Sequence, residues 1–75
     1  MEQRTLEQIL KIEKKRRSEK GMFGIAACKE AIKFEVEFFH KSLYTLLEDY
    51  MKRANEDIFF NKAMVLACWE LINEQ

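Results

Sequence analysis

Proline is absent from this chain of 75 residues, and glycine occurs twice, at Gly21 and Gly24. With no proline and its two glycines close together, the chain has few local reasons to interrupt a helix. Histidine occurs once, at His40, and cysteine twice, at Cys28 and Cys68. The two cysteines stand 40 residues apart inside apolar patterns, with no C-x-x-C and no Cys/His cluster. That spacing excludes the usual zinc ribbons and thiol redox motifs and suits buried, reduced thiols. A Gly-rich phosphate loop is missing too, because Gly21-Met22-Phe23-Gly24 lacks the Lys-Ser/Thr pair that grips phosphate. Net charge is zero, with 13 basic and 13 acidic residues, unlike most nucleic-acid binders.

The apolar runs are equally restricted. The first residues, MEQRTLEQ, hold no apolar segment of the signal-peptide kind. The greasiest stretch, Ile58 to Ile72, is apolar at twelve of fifteen positions but too short to span a bilayer. These features lead us to expect a soluble, cytoplasmic protein without a cofactor.

What is present is helical pattern. Thr5 followed by Gln8 forms a capping box, opening a helix with an apolar face of Leu6, Ile9, Leu10 and Ile12. From Lys14 to Lys20 no apolar residue occurs, and Gly21 is the natural stop. A second helix is expected over 22–54. One stripe at steps of three and four holds Ile25, Cys28, Ile32, Val36, Phe39, Leu43, Leu46, Leu47 and Tyr50. A nearly opposite stripe holds Phe23, Ala27, Ala31, Phe34 and Phe38. Asn55, with Glu56 and Asp57 behind it, reads as the cap of a third helix.

The expected fold is therefore all-α in one small domain. An amphipathic N-terminal helix with a basic end covers 1–21, a long central helix 22–54 and an apolar C-terminal helix 55–75. The last two form a long antiparallel hairpin across a very short linker. A continuous 33-residue helix would be about 50 Å long, against a diameter near 30 Å for a compact chain of this length. The helix must either break near His40, Lys41 and Ser42 or belong to an elongated protein. The two apolar stripes and the greasy third helix favour pairing into a homodimer with a four-helix-bundle-like core.

Three groups of residues carry candidate functions. The first is a set of large rings, Phe23, Phe34, Phe38, Phe59, Phe60 and Trp69, too numerous for so small a core. Aromatic helical faces serve protein recognition or dimerisation. The second is a basic run, Lys11, Lys14, Lys15, Arg16, Arg17 and Lys20, six cations in ten residues. They are candidate contacts to phosphate, although Glu13 and Glu19 dilute them and no aromatic residue interleaves for base stacking. The third is Glu37-x-x-His40, which with Glu70 in a dimer would match the ligand pattern of ferritin-like di-metal bundles. Its placement argues against a site, since Glu37 sits on a polar side with Lys33 and Lys41 at i, i+4 spacing.

Catalysis is not expected. The favoured function is a small interaction or regulatory protein that binds another protein through helical surfaces. A nucleic-acid-associated regulator using the basic run is the runner-up, and a small metal-binding protein the third reading. Salt-dependent nucleic-acid binding separates the second from the first, and elemental analysis separates the third.

Overall fold

Of the two alternatives for the 33-residue helix over 22–54, the structure takes the break near His40, Lys41 and Ser42. A computed structural model of the chain describes the backbone of residues 3–20 and 24–75, with side chains described for 3–16 and 24–75. The described residues form four helices: α1 (Leu6–Lys20), α2 (Ile25–Phe39), α3 (Leu43–Glu56) and α4 (Ala63–Asn73). All regular structure among the described residues is helical. The molecule measures 31 × 28 × 21 Å, which leaves no room for a straight helix about 50 Å long.

The interruption has a local cause. His40 adopts φ 55° and ψ 38°, the left-handed conformation that ends many helices and that histidine tolerates better than most residues. Ser42 then caps α3, its Oγ accepting from the Thr45 amide at 3.1 Å. The main apolar stripe survives the break. Ile25, Cys28 and Ile32 on α2, and Leu46, Leu47 and Tyr50 on α3, are all buried. Both half-stripes pack onto α4, which also receives α1. The expected hairpin of two long helices is thus replaced by α4 as a shared spine with three helices against it.

The start of α4 also lies later than expected. Asn55 remains inside α3 and caps nothing. Its side chain instead holds the segment before α1. The Arg4 amide donates to Asn55 Oδ1 at 2.6 Å, and Asn55 Nδ2 donates to the carbonyls of Arg4 at 3.1 Å and Met51 at 3.0 Å. Two short-range turns occupy the space between α3 and α4. Asp57 Oδ1 accepts from the Phe59 amide at 2.9 Å, and Asn61 Oδ1 from the Ala63 amide at 3.0 Å. Asp and Asn side chains compete in this way for backbone donors that a helix would otherwise use. Ile58 and Phe59 consequently lie exposed on the connection rather than on the face of α4.

The beginning of α1 follows the sequence pattern. The Gln8 amide donates to Thr5 Oγ1 at 3.2 Å and the Thr5 amide to Gln8 Oε1 at 2.8 Å, a reciprocal capping box. Ile9 and Leu10 enter the core, whereas Ile12, placed on the same apolar face by spacing, is exposed. Glu13 takes the inward position instead, only 5% exposed and bonded to Arg16 at 2.9 Å. The expected stop at Gly21 lies outside the described residues.

Candidate interaction surface

α2 has two apolar sides because alanines and phenylalanines recur opposite its core stripe. Ala27, Ala31, Phe34 and Phe38 are all exposed. Phe34 and Phe38 retain 61% and 64% of their accessible surface. Their rings stack on each other, with centroids 5.3 Å apart and planes 13° from parallel. Phe39 meets the edge of Phe38 at 5.0 Å and is exposed as well, although its spacing placed it on the core seam. Left-handed His40 ends the helix at this point, so Phe39 has no following turn to pack beneath.

Beside these rings the end of α2 approaches the start of α3 and the end of α4. An open groove lies between them, with Val36, Leu43, Tyr44 and Leu71 as its apolar lining and Lys33, Glu37, Ser42 and Gln75 as its polar lining. Tyr44 is 60% exposed. Tyr44, Leu43 and Leu71 were not recognisable as surface-site residues, because the groove exists only once the chain has turned at His40.

The remaining rings lie elsewhere. Phe59, 88% exposed, and half-buried Phe60 follow the far end of α3, a helix of 14 residues and so about 21 Å long. Phe60 packs against Tyr50, with centroids 6.0 Å apart, and Arg53 lies over its face at 4.8 Å. Trp69 is half-buried against the core. Phe23 lies outside the described residues. The five described rings singled out from sequence therefore do not make one surface; Phe34 and Phe38 do, joined by Phe39.

Of the basic run, Lys11, Lys14, Lys15 and Arg16 are exposed along α1, and Arg16 is engaged by Glu13. The side chains of Arg17 and Lys20 are outside the described residues. Of the metal candidates, exposed His40 ends α2, and Glu70 lies 3.2 Å from Lys29 Nζ. Among the described residues no group of three His, Cys, Asp or Glu side chains is placed to hold a metal ion. Lys29 also reaches Glu74 at 2.8 Å, and hydrogen bonds to Glu74 and then Glu70 push its ammonium pKa up.

The thiols are poor nucleophiles. Burial raises the Cys68 pKa from 9.0 to about 11, with the nearby Glu35 charge adding to it, and its Sγ donates to the Leu43 carbonyl at 3.3 Å. Burial raises Cys28 as well, followed by the charge of Glu13. Fully buried Tyr50 donates its hydroxyl to Glu35 Oε2 at 2.5 Å, and burial holds that phenol protonated far above its usual range. These groups are satisfied structural contacts that stitch α2 and α3 to the core.

No helix among the described residues is long and apolar enough to cross a membrane. The chain matches no protein-family model, no curated protein and no solved structure.

Proposed function

We propose that this chain is a small, non-enzymatic interaction or regulatory protein of the cytoplasm that works as a homodimer and binds another protein through its helical surfaces. The observation that carries the reading is the cluster of rings Phe34, Phe38 and Phe39, each more than half exposed, beside an apolar groove lined by the exposed Tyr44. Water-exposed aromatic surface of this density is costly to keep and is characteristic of docking sites. The half-buried Val36 and Leu43 and the buried Leu71 give the groove an apolar floor suited to side chains from a partner helix.

Affinity capture from the native host, compared between wild type and Tyr44→Lys, tests the reading. Tyr44 is exposed, so the substitution leaves folding intact while placing a cation in the groove. A protein partner held by the wild type and released by the variant is the expected result. Equal recovery of the same proteins by both overturns it. A nucleic-acid-associated regulator remains the second reading, because Lys11, Lys14 and Lys15 are exposed on α1. Recovery of nucleic acid in place of protein would favour it.

A further inference from the structure

The outward stripe of α2 has an order as well as a composition. Its members within α2, Ala27, Ala31, Phe34 and Phe38, recur at steps of four, three and four, the spacing of a coiled-coil seam; Phe23 of the same stripe lies outside the described residues. The two small residues come first and the two large ones last. Ala27 and Phe38 are equidistant from the middle of the stripe, as are Ala31 and Phe34. We propose that α2 docks against α2 of a second copy of this chain, antiparallel about a two-fold axis passing between Ile32 and Lys33.

This inference rests on the homodimer reading above and specifies its geometry. In an antiparallel pair, Ala27 of one copy faces Phe38 of the other, and Ala31 faces Phe34. Every one of the four layers then contains one alanine and one phenylalanine, the large-against-small alternation that fills a helix–helix contact without voids. A parallel pair would set Ala against Ala at one end and Phe against Phe at the other. Glu30 and Lys33 are exposed on the same flank and 3.6 Å apart within one copy. The two-fold axis brings Lys33 of each copy near Glu30 of the other, but it sets the two Lys33 residues nearer still in height, so the flank charges do not choose the order. Glu37 falls near Glu30 of the second copy, and Lys33 offsets that repulsion.

The size of the contact sets its strength. Two phenylalanine rings, about three-fifths exposed and near 200 Å² each, contribute about 250 Å² per copy. With the alanines and the stems of the flanking residues the contact reaches on the order of 500 Å² per copy, below the standard protein interface. The dimer is therefore a weak one, whose mass varies with concentration.

A residue swap tests the register. Sedimentation equilibrium at up to about 300 µM reads association, where a micromolar dissociation constant would be visible. The wild type is expected to approach twice the 9.0 kDa chain mass. Ala31→Phe sets Phe against Phe in two layers, and Phe34→Ala sets Ala against Ala; each is expected to weaken association at least tenfold. The double variant Ala31→Phe/Phe34→Ala restores one small and one large residue per layer and is expected to recover association to within about threefold of wild type. The Ala27→Phe/Phe38→Ala swap repeats the test in the outer layers should the first pair disturb α2, with thermal unfolding of each variant as the folding control. A dimer indifferent to the single variants, or lost in the singles and not recovered in either swap, overturns this geometry and leaves the homodimer reading standing. A wild type that stays monomeric throughout overturns both.

Discussion

α4 and the outward side of α2 are both rich in apolar residues, and the fold treats them oppositely. On α4, Ala63, Val65, Leu66, Ala67, Cys68, Leu71 and Ile72 are buried, because α1, α2 and α3 all pack against it. On the outward side of α2, Ala27, Ala31, Phe34 and Phe38 meet solvent. The difference is one of supply. Among the described residues three helices lie beyond the spine, and all of them pack against α4. Burial on α4 contributes roughly 1.5–3 kcal/mol for each large aliphatic side chain. The α2 rings contribute nothing of the kind until another molecule covers them. An apolar stripe in the sequence states that cover is needed; it does not state whether the same chain provides it.

The sharpest way to break this comparison is to truncate one residue on each surface. Leu66 is fully buried, so Leu66→Ala leaves a cavity and is expected to cost about 2–5 kcal/mol, enough to unfold much of a domain this small. Phe34→Ala removes a larger side chain, yet the monomer is expected to change by within about 0.5 kcal/mol, because the ring covers little. Chemical denaturation at low micromolar concentration, where a weak dimer has dissociated, reads both. Similar losses for the two variants would mean that the α2 rings belong to the core and that the contrast is false.

Where the sequence was legible, a local signal agreed with the tertiary arrangement. The Thr5–Gln8 box opens α1 as the spacing requires, and the Ile25–Tyr50 stripe is core in both α2 and α3, apart from half-buried Val36 and Leu43 and exposed Phe39. Where it left alternatives or failed, two signals competed: the break near His40, Lys41 and Ser42 is one of the two outcomes the helix length allowed, and the late start of α4 is the failure. Ser42 could be a surface position of a long helix or the cap of a new one, and with neither glycine nor proline nearby the heptad-like seam pointed to continuity. The length of the helix decided for the cap. Asn55 was a good cap in isolation, but Asp57 and Asn61 each turn the backbone after it, which moves the start of α4 to Ala63. The ring cluster was half visible. Phe34 and Phe38 follow from spacing, whereas the exposure of Phe39 follows from the end of α2 at that residue.

A pH titration reaches the spine without touching the α2 surface. The Cys68 thiol has a folded pKa of about 11 against 9.0, and burial also keeps Tyr50 protonated. Both values are raised in the folded state, so the stability that depends on protonation is complete below pH 9 and falls as pH rises. For Cys68 the loss develops between pH 9.0 and about 11 and amounts to roughly 2–3 kcal/mol at about 1.36 kcal/mol per pH unit. Melting temperatures are expected to hold to about pH 9 and then decline, with Tyr50 extending the decline above pH 10. Cys68→Ala should make the decline shallower, with its onset still near pH 9 because burial raises Cys28 from 9.0 as well. An unchanged profile in Cys68→Ala would show that α4 opens in alkali through some other group.

The smallest effect is expected on α1, and it separates protein binding from nucleic-acid binding. Lys11, Lys14 and Lys15 are exposed, whereas Arg16 bonds a nearly buried Glu13. The informative variant therefore changes the three lysines to glutamine and keeps Arg16, since removing Arg16 would strand the Glu13 carboxylate. An exposed charge contributes well under about 1 kcal/mol, so the triple variant is expected to unfold with the wild type and to dimerise as it does. If these lysines instead contact phosphate, wild-type binding to DNA or RNA would fall with salt at a log–log slope of about −3 for three contacts, and the variant would flatten that slope. We expect no such binding, because the chain as a whole is neutral and Glu13 interrupts the run. A steep salt slope in the wild type that disappears in the variant would move the functional surface from the rings of α2 to the cations of α1.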